Sequence, residues 1–382
     1  MKFNTITVHG DQNNDEAFGA IMTPVYQTST YKQTSPGKHK GYEYSRSKNP
    51  TRTALENSLA SLENGNYGLA FGSGLASIDA ILKLFEPGDE IIATHDLYGG
   101  TYRLFTKIYQ KFGIKFHFVN LEDANTIINY INQNTKLIWI ETPTNPMMNI
   151  IDIELVAKIA KAKDHNLLLA VDNTFATPYL QQPLDLGADI VMHSVTKYLG
   201  GHSDVIMGAL IVKDKELADK LYFIQNASGA IPGPMDCFLV LRGIKTLHVR
   251  MQRHCENGKA VAEFLVNHPK IEKVYWPGSE NHPNHEIAKK QMKDFGGMIS
   301  VVTKNNDYNE AIKIVENLKI FTLAESLGGV ESLANHPASM THASMPKEQR
   351  EINGIVDSLI RLSVGIEDVE DLINDLKQAI EI

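Results

Sequence analysis

Long apolar runs are missing from this chain: no stretch approaches the roughly 18 uninterrupted apolar residues of a membrane-spanning helix, so a soluble protein is expected. Cysteine is nearly missing as well. The two present, Cys237 and Cys255, form no CxxC pair and cannot build a disulfide framework, which suits a reducing cytosol; both read as ordinary buried thiols. No run of Lys or Arg is long enough for a nucleic-acid stripe or a polybasic membrane patch, and 37 basic against 45 acidic residues leave a formal charge of -8, which mainly favours solubility. Internal repeats and low-complexity tracts are absent. The first residues, MKFNTITVHGDQ, contain no apolar signal region, so a cytoplasmic location is expected.

What is present is material for a core: 382 residues, 43% of them hydrophobic, enough for two globular parts. Residues 1–48 are polar, with glycines and prolines and little periodicity, and read as an extended arm. Residues 49–246 alternate short apolar runs with amphipathic helical patterns: AFGSG, EIIATHD, IKFHFVN, KLIWIE, NLLLAVD and ADIVMHS. That alternation predicts an α/β domain built on a mostly parallel sheet with helices on both faces. Ile78, Ile81, Leu82 and Phe85 mark one helix face, stopped by Pro87 and Gly88; Asp152 is placed to cap another helix, which buries Leu155, Val156, Ile159 and Ala160. Residues 247–382 mix helix and strand and form a smaller α/β domain that ends in an amphipathic helix through Val369, Leu372, Ile373, Leu376 and Ile380.

In such sheets functional groups gather beyond the carboxyl ends of strands. Three runs deliver polar residues there: Asp172 follows NLLLAV, Asn145 follows KLIWIETPT, and Ser194, Thr196 and Lys197 follow ADIVMH. A lysine desolvated at that edge becomes a nucleophilic amine able to form a Schiff base. Pyridoxal phosphate (PLP) chemistry also requires a carboxylate that keeps the pyridine nitrogen protonated, and Asp172 suits that role. Ser73, Gly74 and Leu75 open a helix whose free N–H groups attract a phosphate, Ser194 and Thr196 add hydroxyls, and Tyr98 offers a flat face for a cofactor ring.

Other readings compete. Gly72 to Ser77 nearly matches the dinucleotide pattern GxGxxG, with Asp96 about where a ribose-binding acid would sit, but Ser77 replaces the third glycine and an NAD-dependent oxidoreductase leaves Lys197 and Asp172 unused. A fold that has lost catalysis and only binds is a further alternative. Asp172 read blandly is a turn residue, and Arg46 and Arg361 are surface ion-pair partners. His282 and His285 form an HxxH among prolines and polar residues, a loop rather than a metal site, and no metal is expected. His193, His202, His336 and His342 read as structural.

The stretches YEYSRSKNPTR, FGSGLAS, DLYGGTYR, ETPTNP, VDNTFATP, HSVTKYLGGHSD, RGIKTLHVRM, LAESLGGVESL, MTHAS and IRLSVGIED together resemble the transsulfuration enzymes, the Cys/Met-metabolism group of fold-type I PLP-dependent proteins, over essentially the whole chain. The resemblance implies a seven-stranded sheet in the large domain. It implies that Lys197 carries the cofactor, Asp172 pairs with its ring nitrogen, Tyr98 stacks on the ring and Asn145 bonds its phenolic oxygen, while Gly74, Leu75, Ser194 and Thr196 hold the phosphate. Tyr44 and Arg46 on the arm would reach the neighbouring subunit's phosphate site in a homo-oligomer, a dimer of dimers; Arg361 would clamp the substrate α-carboxylate with Ser326 nearby, and Arg103 and Glu325 would face the substrate's distal end. Within the family, Gly100 and Glu325 speak against a methionine γ-lyase, and the lack of an aromatic residue in AESLGG against a cystathionine β-lyase. That leaves cystathionine γ-lyase, towards which PMDCFLVLRGIKTLHVRMQRHCENG leans, or cystathionine γ-synthase.

Overall fold

The computed structural model describes residues 1–10, 15, 17–343 and 347–381, and two sheets organise them. The larger has seven strands: β1 (Tyr67–Phe71), β2 (Glu90–Thr94), β3 (Lys115–Val119), β4 (Thr135–Glu141), β5 (Leu168–Asp172), β6 (Ile190–Ser194) and β7 (Gly208–Val212), in the order β1-β7-β6-β5-β4-β2-β3. Strands β2 to β6 pair in parallel, as the apolar runs predict. The inner strands β2, β4, β5 and β6 are buried on both faces, whereas the edge strand β3 is half-buried: Leu137 and Trp139 of β4 enter one apolar cluster while Ile138 and Ile140 enter another, so KLIWIE carries no polar alternation.

The sequence reading missed β7, which runs antiparallel to both β6 and β1. It begins at Gly208 because the helix after β1 passes so close that an added Cβ would stand 2.3 Å from the Ser73 carbonyl oxygen. The connection from β6 to β7 therefore doubles back, and Lys197 sits in it. Chain order reverses at β2: the chain goes from β2 outward to β3, then returns to lay β4 against the other side of β2 and continues to β5 and β6. Loops leaving β2 and β4 diverge there, which opens a crevice at the carboxyl edge.

The second sheet contains β8 (Ile271–Tyr275), β9 (Met298–Thr303), β10 (Thr322–Leu323), β11 (Leu333–Asn335) and β12 (Leu359–Ser363), ordered β10-β11-β12-β9-β8 and antiparallel except for the β10–β11 pair. Ile299, Val301, Ile360 and Leu362 face a cluster shared with the helices Leu247–Val266, Tyr308–Asn317 and Val369–Ile380. Ser300, Asn335 and Arg361, which stand opposite one another in register, alternate onto the other face. All three are buried, because that face is covered too: Ser300 Oγ donates to the Pro146 carbonyl at 2.7 Å, and Met147 packs with Val302, Ile355 and Leu359.

Both helices read from the sequence are present. Gly74–Leu82 buries Ile78, Ile81 and Leu82 and ends before Phe85, which packs against the same cluster from the following turn. Ile153–Lys163 is capped by Asp152, which accepts from Leu155 N; Val156 and Ala160 are buried, and Leu155 and Ile159 half-buried. Two expectations change. The arm begins with a helix, Phe3–His9, because Phe3 and Ile6, one turn apart, dock on the core while Thr7 pairs with His248 at 2.9 Å. After β3 the helical pattern yields only a short 3₁₀ helix, Ala124–Asn129.

Candidate active site

The carboxyl ends of β4, β5 and β6 bring the site together, and period-two alternation decides which groups meet. Glu141 and Asp172 stand opposite each other in register, on the same face as Trp139 and Ala170, while Ser194 follows Met192 on that face of β6. Asp172 is buried, with 8% of its surface exposed. Thr174 donates to its Oδ1 twice, through its backbone N at 3.0 Å and its hydroxyl at 2.5 Å, leaving Oδ2 for another donor. Thr174 Oγ1 also accepts from Ser194 N at 2.9 Å and so ties the ends of β5 and β6. Burial pushes the Asp172 carboxyl up against these hydrogen bonds, because among the described residues no cation is paired with it. A protonated ring nitrogen is the kind of partner this carboxylate lacks.

Lys197 occupies the turn after β6. Thr196 closes that turn: its hydroxyl donates to the Met207 carbonyl at 3.1 Å and accepts from Met207 N at 3.0 Å. Lys197 Nζ donates to Ser326 Oγ at 2.5 Å. Burial and, secondarily, the Arg361 guanidinium bring its ammonium down to about 8, opposed by Glu325. This amine is consequently a nucleophile and base near neutral pH.

Arg361 comes from the second sheet, 2% exposed, and its Nη1 donates to Asn145 Oδ1 and its Nη2 to the Ser326 carbonyl, both at 2.9 Å. Among the described residues its Nε has no partner. Burial lowers the guanidinium to about 10, so a buried cation held by neutral acceptors awaits an anion. Ser326 links it to Lys197 from a left-handed backbone, φ 82°, a conformation that costs a non-glycine residue about 1–3 kcal/mol.

At the amino end of the helix Gly74–Leu82, the Ser73 hydroxyl is spent on the cap, accepting from Ala76 N at 3.1 Å. The N–H groups of Gly74 and Leu75 remain open beside Ser194, since an added Cβ on Gly74 would stand 3.2 Å from Ser194 Oγ. Tyr98 lies across the crevice, 41% exposed, with its ring over Gly100, where any Cβ would meet ring carbon Cε1 at 2.4 Å. Glu325 and Arg103 are exposed, Glu325 within electrostatic reach of Lys197 and Arg361. Tyr44 and Arg46 stand apart from this group: Arg46 Nη1 donates to the Asn226 carbonyl at 2.6 Å and its guanidinium lies 5.6 Å from the Tyr44 ring. Together with Gln27, Thr28, Ser29, Ser45 and Ile231 they line a cleft of their own.

Two functional groups escaped the sequence reading, Thr174 and Glu141. The signal for Glu141 was a carboxylate ending an otherwise apolar strand. The rival role for Asp96 is corrected: it is buried and accepts from Thr144 Oγ1 at 2.5 Å, so it faces no ribose. His282 and His285 bond separate carbonyls, Met148 and Pro277. His193, His202 and His336 are likewise engaged, with Glu63, the Gly200 carbonyl and Ser339. In MTHAS, His342 is buried against Thr341, and Ser344 lies outside the described residues. Both cysteines are buried, and no described helix is long and apolar enough to cross a membrane.

Comparison with known proteins bears directly on this constellation. The family described as Cys/Met metabolism PLP-dependent enzyme matches residues 4–381. A cystathionine β-lyase of Coxiella burnetii is 53% identical over 99% of this chain and 97% of its own length. A cystathionine γ-lyase of Bacillus subtilis is also 53% identical, over the whole of both chains. The crystal structure of cystathionine gamma-lyase from Lactobacillus plantarum complexed with L-serine superposes with a TM-score of 0.96 at 46% identity, covering 100% of this chain and 99% of that one. Proteins of both names match equally well, so overall identity does not choose between β- and γ-elimination. Matched by the family model over nearly its whole length and 53% identical to a named member, this chain belongs to the Cys/Met metabolism family of PLP-dependent enzymes.

Proposed function

We propose that this PLP-dependent lyase acts on cystathionine by α,γ-elimination, releasing cysteine, 2-oxobutanoate and ammonia. The observation that carries the reading is the placement of the Lys197 amine, desolvated and held by Ser326, beside a buried guanidinium with a free donor. Lys197 would hold the cofactor covalently, Asp172 its ring nitrogen, Asn145 its ring oxygen through the amide Nδ2 that Arg361 leaves free, and Tyr98 its face. Gly74, Leu75, Ser194 and Thr196 would hold the phosphate; the Thr196 proton now committed to Met207 would turn towards it, and Ser73 would contribute through its cap. Bound PLP would supply an aldehyde for the amine and an electron-poor ring that stores the charge left at Cα.

The chain's own groups then have defined tasks. Arg361 takes the substrate α-carboxylate through its open Nε edge. Released from the cofactor, the Lys197 amine removes the Cα proton, and Ser326 Oγ holds it at the right height. A second proton leaves Cβ, the γ-sulfur departs as the thiol of cysteine after protonation by Tyr98, and one water completes 2-oxobutanoate and ammonia. Glu325 and Arg103 meet the distal end of the substrate.

The γ direction rests on the sequence resemblance, above all PMDCFLVLRGIKTLHVRMQRHCENG with TLAESLGGVESL and MTHAS. A second reading, β-elimination, is favoured by the 53% identity to a protein named cystathionine β-lyase. Product analysis separates the outcomes. Cysteine and 2-oxobutanoate from cystathionine support γ-elimination; homocysteine and pyruvate support β-elimination. Cystathionine formed from an O-acylhomoserine and cysteine identifies a γ-synthase.

The same reading makes residues 1–48 an arm that carries Tyr44 and Arg46 into a neighbouring copy's phosphate site, residues 49–246 the cofactor domain and residues 247–382 the smaller domain. It also makes the protein a cytoplasmic homo-oligomer, a dimer of dimers. Cross-linking across position 46 in the assembled protein tests the shared site.

A further inference from the structure

We propose that Glu141 is a positioning residue of this site, its single carboxylate clamping the backbones of Tyr98 and Asn145 so that the two side chains flanking the cofactor ring are set as one unit. The proposal rests on the reading above that Tyr98 and Asn145 flank that ring.

Glu141 is the last residue of β4, 4% exposed, at the reversal of strand order where the loops after β2 and β4 diverge. Its Oε2 accepts from Tyr98 N at 3.1 Å and its Oε1 from Asn145 N at 3.0 Å. One rigid group thus spans the crevice that the topology opens, and each oxygen serves a different loop. Tyr98 begins the helix Gly99–Arg103, with its ring over Gly100, so fixing its backbone fixes the ring. Asn145 in turn carries Arg361 on its Oδ1. A chain of contacts therefore runs from the ring face through Glu141 and Asn145 to the guanidinium.

The carboxylate is retained against its electrostatics. Burial and the facing Asp172 both push its proton affinity well up, and among the described residues no cation pairs with it. An amide of the same shape would avoid that cost but has only one acceptor, and its NH₂ would confront an N–H. Two N–H groups from two loops require two acceptor oxygens.

The test compares wild type, Glu141→Gln and Glu141→Asp. Gln keeps the volume and loses one acceptor; Asp keeps two acceptor oxygens and is too short to reach both loops. In the PLP-loaded Gln variant, cofactor stoichiometry should stay at wild type while the visible circular dichroism of the bound chromophore falls at least about twofold. A loosened site of this kind should lower kcat on the order of 10- to 100-fold, with KM for cystathionine changed less than about threefold because Arg361 keeps its own free donor. In cofactor-free protein, the Tyr98 amide should exchange its hydrogen at least about tenfold faster than in wild type. Unchanged dichroism and unchanged exchange overturn the proposal whatever happens to kcat, since a merely structural role would lower stability and leave both signals alone. If the variants fail to fold, exchange in the wild type decides: similar, slow rates at Tyr98 and Asn145 support a common clamp, and rates differing more than about tenfold overturn it. Wild type that takes up no PLP would sink the functional reading instead, and the amide exchange result would stand on its own.

Discussion

The two sheets solve different problems. The seven-stranded sheet is parallel where the candidate site lies, its inner strands β2, β4, β5 and β6 are buried on both faces, and the polar groups of the site gather where strands end: Glu141, Asp172, Ser194 and Lys197 all stand at or beyond a carboxyl terminus. The five-stranded sheet is mostly antiparallel and gives up one of its faces, burying Ser300 and Arg361 in mid-strand against the 142–149 loop. A strand end can hold a reacting group next to a crevice without breaking a backbone ladder. A mid-strand position holds its side chain in the sheet's own register, which suits a guanidinium that must meet a carboxylate in fixed orientation. In the proposed reading, bond-making groups therefore reside on one sheet and the grip on the substrate comes from the other.

This division can be broken experimentally. Lys197→Ala should cost turnover more than about 10³-fold and remove the yellow absorbance of the purified protein, since one amine serves as both anchor and base. An active yellow variant would refute the assignment. Next in size is a stability effect at the larger sheet. Burial pushes Asp96 up to about 7, so its folded proton affinity exceeds its unfolded one. The stabilisation this provides is complete below the ordinary aspartate range and is lost as pH rises through about 7. Thermal unfolding of the cofactor-free protein should show a loss on the order of 4 kcal/mol across that window. Asp96→Asn should flatten the profile, and a variant with the same slope as wild type would assign the slope elsewhere.

On the other side of the comparison, Arg361→Lys retains the charge and loses the planar fork. It should cost about 10- to 100-fold in kcat/KM, expressed mainly in KM. A loss confined to kcat would show that the second sheet takes part in bond-making and would erase the division drawn here. The smallest effect belongs to the contact joining the two regions: Ser300→Ala leaves the buried Pro146 carbonyl without its donor and should lower stability by about 1–3 kcal/mol, with a minor change in kcat read by steady-state kinetics.

Much of the larger sheet was legible because its strands are short, apolar and separated by helical periodicity. Strand β7 was not, since GALIV lies close behind a glycine-rich turn and nothing local tells an antiparallel return from a loop. Of the proposed site, the groups legible in the sequence are those that end or follow an apolar strand, Asp172 and Lys197. The site was not legible where function depends on a partner distant in the chain: Glu141 matters through Tyr98, 43 residues away, and Thr174 through Ser194, 20 residues away. The Thr196 hydroxyl shows the converse, a residue chosen for a phosphate whose proton the structure has committed to Met207.

By itself the amino-acid sequence determined the parallel α/β class, the amine and the carboxylate, because hydrophobic periodicity and residue chemistry are local properties written at each position. Only the tertiary structure decided that the amine would be stripped of water beside Ser326 and Arg361, and that Glu141 and Asp172 would face each other with no cation paired to either among the described residues. Those are consequences of strand register and of the second sheet closing over the first. Burial and distance set proton affinity and orientation, and neither exists until the chain has folded.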